Sequence, residues 1–373
     1  MVNNIIMATK DFQYNTPIAF HPGETLAEKL QEMGMSIKEF AVRTNKPEKT
    51  IIAVIKGKSS LTPDMAVSFE NVTKIPARMW MNLQRTYDEY VARNKYMNSV
   101  VRSIDWAKQF PIPSMIKNGW IQPCRKPEEK ANIMLSFFGV SSPAAWNCYY
   151  MEKQLKVAFR ISLASTKDPY AVSAWLRQGE IQASNMDISI KFTVDTLEKK
   201  IPLMKTLMIK HPKNMAAELQ SVCKDAGIKL IYTQPLPKAP INGATRWIND
   251  VPCIQLSGRY NRYDIFWFSF FHEMGHIILH GKKDVFLENI EYTDKQKEKE
   301  TEADNYASNI LLTKSQEKVI IESKDYSQKS IVSFANKFGT HPAVIVGRLQ
   351  HLEVIDYWDD AKLREKINLF EEN

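Results

Sequence analysis

Residues 264–281 read DIFWFSFFHEMGHIILHG, and this stretch decides how the chain is read. The run from Asp264 to Phe271 is almost wholly apolar and leads straight into His272-Glu273-Met274-Gly275-His276. A helix that is apolar nearly all round belongs in a core. Two histidines four residues apart share one helix face, with Cβ atoms ~5–6 Å apart. Both rings can then reach one zinc ion at ~2.0–2.1 Å. Glu273 stands beside the first histidine, where it can take a proton from an activated water. Burying a glutamate between two histidines is costly unless something pairs with them, and a metal ion does so. The pattern predicts a buried metal-binding helix with Glu273 as general base.

A catalytic zinc takes three protein ligands and keeps one position open. His280 is the nearest further histidine, but it lies ~12 Å along the axis from His272 at ~1.5 Å per residue. It reads as a helix-end histidine favoured by the dipole ahead of Gly281. Lys282 stands where the longer histidine motif would need a third histidine. The remaining candidates lie in Glu298-Lys299-Glu300-Thr301-Glu302-Ala303-Asp304. This run opens a second helix whose apolar face is Ala303, Tyr306, Ala307, Ile310 and Leu311. At ~100° per residue Glu300 projects on that inward face. Glu300 is therefore the expected third ligand, with Glu302 as runner-up. Asp304, one turn on, is placed to hold a ligand histidine by its free ring N–H.

The whole chain, 373 residues with 44% apolar and 25% charged side chains, has room for two or three globular domains. Its four cysteines, Cys124, Cys148, Cys223 and Cys253, are far apart and form no CxxC pair, which argues against a cysteine zinc site or a disulfide framework. No apolar run reaches the ~18 residues that span a bilayer, and the first residues lack the pattern of a secretory signal. The expected location is the cytoplasm. The net charge of +8 favours acidic partners only weakly. The expected fold class is α+β and mostly helical. Its parts are a loose tail (1–15), a helix-turn-helix domain (16–96), a linker (97–127), a helical middle region (128–221) and a zinc-site domain with a small sheet (222–373). Lys229–Thr233 and Pro252–Ser257 read as strands. Pro111, Pro113, Trp106 and Trp120 mark the linker as extended and docked.

Near the N-terminus, Leu26, Ala27, Leu30 and Met33 recur at helical spacing, and Gly34 suits a C-terminal cap. Ser36-Ile37-Lys38-Glu39 has the capping-box pattern and opens a second helix. Asn45-Lys46-Pro47 is a turn, and a third helix follows to Gly57. Two short helices joined by a tight turn make a helix-turn-helix, whose second helix would enter the major groove. HPGETLAEKL, the paired helices, LTPDMAV and MWMNLQRTYDEY resemble the HigA-type branch of the Xre/Cro-like DNA-binding domains. That resemblance implies a five-helix DNA-binding domain that commonly dimerises. Its recognition stretch, Pro47-Glu48-Lys49-Thr50-Ile51-Ile52-Ala53, departs from the family in offering few base-reading side chains. The candidate DNA contacts are Lys46, Glu48, Lys49, Thr50, Ala53, Lys56 and Lys58. The competing reading keeps the fold as a dimerisation or partner-binding module.

GATRWINDVPCIQLSGRY, DIFWFSFFHEMGHIILHGKK and ETEADNYASNILL resemble the ImmA/IrrE family of zinc metallopeptidases. The resemblance holds at His272, Glu273, His276, Glu300, Glu302, Ala303, Asp304, Tyr306 and Ala307. It implies a gluzincin-like domain, bound Zn2+ and, as in known members, cleavage of a regulatory protein; the expected substrate is a specific protein such as a repressor, antitoxin or toxin, and nothing in the sequence names it. The alternative is a DNA-binding regulator or antitoxin whose zinc domain senses or scaffolds without turnover. Arg348 is a candidate substrate contact, although a structural ion pair is the stronger reading. Arg246-Trp247 and Arg259-Tyr260 flank a strand that could accept an extended peptide by strand addition, against ordinary sheet packing.

Overall fold

The computed structural model describes residues 19–154, 168–281, 286–287, 294–356 and 363–370. The expected loose tail, 1–15, lies outside these residues. The chain divides into two compact units, Met1–Arg102 and Ser103–Asn373.

The first unit holds α1 (Pro22–Glu32), α2 (Ile37–Arg43), α3 (Glu48–Ile55), α4 (Pro63–Thr73) and α5 (Ala77–Arg102). Polar side chains start three of these helices. The His21 ring accepts from the Gly23 N–H while Glu24 returns to the His21 N–H. Ser36 Oγ accepts from Glu39 N and Thr62 Oγ1 from Met65 N. Such caps contribute ~1 kcal/mol each. The inward faces supply a core of Leu26, Leu30, Phe40, Ile51, Val54, Phe69 and Trp80. Phe69 meets Phe40 at 4.9 Å and Trp80 at 6.0 Å, both edge to face. Residues 97–102, expected to begin the linker, are instead the last turns of α5. No glycine or proline interrupts the chain between Pro76 and Pro111, so nothing in the sequence stops the helix earlier.

The second unit opens with α6 (Ile104–Ala107) and α7 (Ile112–Lys117), then α8 (Pro127–Phe138), α9 (Pro143–Trp146) and a π-helical stretch over Asn147–Gln154. The segment read as extended is thus partly helical. Pro111 and Pro113 sit at the start of α7, where a missing N–H costs nothing. The segment is docked within this unit: Trp106 packs edge-on to Phe110 and Trp146, and Trp120 Nε1 donates to Gln234 Oε1 at 3.2 Å. Next come α10 (Pro169–Ser184), α11 (Val194–Lys210) and α12 (Met215–Asp225).

A four-stranded sheet follows, made of β1 (Lys229–Tyr232), β2 (Gly243–Ile248), β3 (Val251–Leu256) and the two-residue β4 (Phe286–Leu287), in the order β1-β3-β2-β4. β1 runs parallel to β3, with Leu230 opposite Ile254; β2 is antiparallel to both neighbours. Two of these strands match the sequence reading; β2 had no counterpart in it. The β2–β3 hairpin turns on Asn249 and Asp250, both left-handed at φ 50° and 63°, as a two-residue hairpin requires. β3, the strand considered for peptide addition, is central in the sheet, paired with β1 on one side and β2 on the other, so it offers no free edge there. Arg246 turns inward instead: its Nη2 donates to the Leu176 carbonyl at 2.7 Å, and Nη1 lies 3.2 Å from Glu180.

Against the sheet lies α13 (Tyr263–His280), followed by α14 (Asp294–Leu311), α15 (Lys314–Ser323), α16 (Gln328–Phe338) and α17 (Pro342–His351). Leu230, Ile254 and Leu256 of the sheet pack with Tyr263, Trp267, Phe270, Phe271 and Met274 of α13 in one core. Burying each such side chain contributes ~1.5–3 kcal/mol, which fixes α13 firmly beneath the sheet. Among the described residues no helix is long and apolar enough to cross a membrane.

Candidate metal centre

The first half of α13 anchors the helix, and its second half carries the chemistry. His272, Glu273 and His276 are all buried, at 2%, 0% and 0% exposure. The one-turn spacing brings the two rings together, with Nε2 to Nε2 at 3.0 Å. Glu300, from α14, reaches the same point. Its carboxylate oxygens lie 3.2 Å from His272 Nε2 and 3.4 Å from His276 Nε2. The three donor groups fall within 4.8 Å of one another.

Two glycines make this approach possible. A Cβ on Gly275 would stand 3.1 Å from the Tyr306 ring and 3.3 Å from the Ala303 Cα, so the bare backbone there lets α14 close on α13. A Cβ on Gly243 would stand 2.5 Å from Glu273 Oε1. The start of β2 therefore lies directly on the Glu273 carboxylate, and Thr245 Oγ1 ties the strand to the Glu273 carbonyl at 3.0 Å.

Each histidine is also held on its outer side. His272 Nδ1 lies 2.8 Å from Asp304 Oδ1. A carboxylate only accepts, so that Nδ1 carries the proton and the His272 Nε2 lone pair faces inward. His276 Nδ1 lies 3.0 Å from His280 Nδ1, and His280 Nε2 lies 2.9 Å from Glu302 Oε2. Of the two glutamates weighed as third ligand, Glu300 meets the histidine pair while Glu302 is turned to His280. The His276–His280–Glu302 contacts were not foreseen from sequence. The signal was present: His280 follows His276 by the same four residues that separate the motif histidines, so it stands one turn along the same face.

The electrostatics match this arrangement. Burial pulls His276 below its ordinary value to about 4, against the pull of Glu300. Burial alone would raise Glu300, but the adjoining His272 and His276 outweigh it and hold the carboxyl at about 2. The result is a neutral imidazole beside an ionised carboxylate. Inward-facing imidazole lone pairs and a carboxylate only ~3 Å apart repel unless a cation lies between them. Two imidazole nitrogens and one carboxylate also form the donor set of a zinc site with an open position. The residues therefore fit a zinc ion.

One pH effect follows for the metal-free protein. Unfolded, His276 takes up a proton near pH 6.5; folded, it resists down to about 4. Between those values the unfolded chain binds more protons, so stability falls as pH falls. A shift of this size is worth on the order of 3 kcal/mol. Urea unfolding between pH 7 and 4.5 should show that loss, and His276→Leu should remove about one proton from the slope.

A second cluster, His211, His341 and Glu365, has similar composition but different wiring. His341 Nδ1 accepts the Ala343 N–H at 3.2 Å as the cap of α17, so its proton sits on Nε2, facing Glu365 at 3.6 Å. That nitrogen is a donor and not a metal ligand. The cluster clasps the chain near residue 365, whose backbone pairs with α13: Tyr263 N donates to the Glu365 carbonyl and Ile367 N to the Asn261 carbonyl, both at 3.1 Å.

Beside the start of α13 lies a recess of about 320 Å³, lined by Ile265, Phe268, Leu311, Leu312, Val344 and Arg348 among others. The Phe268 ring lies 6.1 Å from the His272 ring. Arg348 Nε donates to Glu317 Oε2 at 2.6 Å, the ion pair that was the stronger expectation.

In the first unit, α3 turns Ile51 and Val54 into the core. Glu48 and Lys49 are exposed, and Thr50 and Ala53 half-buried. Lys56 and Lys58 are exposed just beyond the helix. The Lys46 ammonium is paired with the Asp64 carboxylate.

Comparison with known proteins supplies the family. Residues 223–350 match the family described as the IrrE N-terminal-like domain, an M78 peptidase family, and residues 26–80 match the helix-turn-helix family. An uncharacterized HTH-type transcriptional regulator of Escherichia coli K12, YddM, is 35% identical over 66 residues, which is 18% of this chain and 70% of YddM. A HigA-family addiction-module antidote protein from Coxiella burnetii is 30% identical, with 22% of this chain and 92% of that one covered and a TM-score of 0.22. The Pseudomonas aeruginosa antitoxin HigA, solved with the higBA promoter, is 28% identical, with coverage of 21% and 86% and a TM-score of 0.21. With a DNA-binding regulator domain in front and a metallopeptidase-like M78 domain behind, the chain belongs to the helix-turn-helix transcriptional regulators and carries an IrrE N-terminal-like domain.

Proposed function

We propose that the chain is a DNA-binding regulator whose second unit is a zinc-dependent endopeptidase that cuts one specific regulatory protein, a repressor or an antitoxin. The observation that carries this reading is the convergence of His272, His276 and Glu300 beside the buried Glu273. Zinc, when bound, supplies Lewis acidity to the scissile carbonyl and to the attacking water. His272, His276 and Glu300 hold it, and Asp304 keeps the His272 ring turned inward. Glu273 takes the proton of the attacking water and returns it to the leaving amine. The recess beside His272 seats an apolar side chain of the substrate and so aligns the peptide bond. A metal that only scaffolds has no use for a base at Glu273, which favours turnover. The test is incubation of the full chain with the protein products of neighbouring genes, with and without chelator. Cleavage of one of them, stopped by chelator, is the expected result; no cleavage of any contradicts the reading.

On the DNA side, phosphate contacts from Lys49, Lys56 and Lys58 carry binding, because α3 exposes few side chains able to read bases. Replacing Lys49 and Lys56 with alanine should weaken all duplexes about equally and flatten the salt slope by roughly two units. Titrations at several salt concentrations check this. A loss confined to one sequence would show base readout instead.

A further inference from the structure

We infer that His280 and Glu302 are positioning residues that hold His276 in its metal-binding tautomer, as a carboxylate–histidine–histidine chain behind the ligand. The inference rests on the zinc reading above and concerns groups that do not themselves reach the ligand cluster.

The chain of contacts fixes its own protons. Glu302 Oε2 lies 2.9 Å from His280 Nε2. An ionised carboxylate only accepts, so His280 Nε2 carries a hydrogen. In the neutral ring that leaves His280 Nδ1 with a lone pair. His280 Nδ1 lies 3.0 Å from His276 Nδ1, and it accepts there, so His276 Nδ1 is the protonated nitrogen. His276 Nε2 is then left as a lone pair, pointing where Glu300 and His272 Nε2 converge. Without the outer groups the Glu300 carboxylate, 3.4 Å from His276 Nε2, would draw the proton to that nitrogen, the tautomer that cannot bind a metal there.

The two motif histidines are thus braced differently. His272 is held directly by Asp304, whereas His276 is held through an intervening ring. The His280 side chain is only 4% exposed, while Glu302 is 62% exposed. The intervening imidazole therefore carries the influence of a surface carboxylate to a fully buried ligand. α13 supplies His276 and His280, and α14 supplies Glu302 and Asp304. Closing the two helices sets both ligands at once.

The test uses the full chain and measures zinc affinity by competition with a chromophoric chelator. His280→Ala is expected to weaken zinc binding ~10–100-fold, the usual effect of losing an outer partner of a ligand histidine. His280→Asn places an amide oxygen where Nδ1 stands and should restore affinity to within about threefold. Glu302→Ala should weaken binding and Glu302→Gln, which keeps an acceptor, should not. Circular dichroism melts of the metal-free variants identify any that fail to fold. A folded His280→Ala that binds zinc as the wild type does overturns the inference. So does His280→Asn as weak as His280→Ala, because ring packing and not the accepting atom would then matter. A wild type that binds no zinc overturns the metal reading itself, a different outcome from either of these.

Discussion

Glu273→Gln should lower peptide-bond cleavage ~10²–10⁴-fold, the range that a positioned general base contributes, while zinc stays bound. The substitution keeps shape and removes only the basic oxygen. Glu273 is fully buried between α13 and the start of β2, so an isosteric change disturbs little packing. It is not among the groups that converge as ligands, and metal content should therefore not change. Single-turnover cleavage of the identified target, with zinc measured on the same sample, separates the two effects. Unchanged cleavage would move the base elsewhere. Loss of zinc together with cleavage would make Glu273 structural.

His272→Ala should weaken zinc binding about a thousandfold. Zinc held by protein side chains is worth ~12 kcal/mol, and dropping one of three ligands removes about a third of it, or ~4 kcal/mol, at ~1.4 kcal/mol per decade. The metal-free variant should also be less stable than the metal-free wild type, because the buried ring leaves a cavity and its bond to Asp304 is lost. Chelator competition and urea unfolding read the two losses separately.

Much of the architecture was legible because local signals agreed with the tertiary fold. Ser36 caps the helix that its sequence position announces. The apolar run before His272 could only be a core helix. The inward face of the second helix selected Glu300 over Glu302 by angle alone. Other features were hidden for physical reasons. β2 was missed because GATRWI is mostly buried and lacks alternation, yet Asn249-Asp250 was a readable hairpin signal. The segment around Pro111 and Pro113 was read as extended because prolines break helix interiors, but at the first turn they start one. His280 was dismissed by its distance from His272, a correct argument against direct ligation that says nothing of a contact to His276. The pairing of Lys46 with Asp64 was hidden because the two lie eighteen residues apart in sequence, beyond any local rule.

The most direct measurement is the zinc content of the freshly purified full chain by elemental analysis. About one zinc per chain is the predicted result, absent from His272→Ala and from Glu300→Ala. Less than ~0.2 of any metal per wild-type chain, not restored by added zinc, would contradict a zinc site at His272, His276 and Glu300.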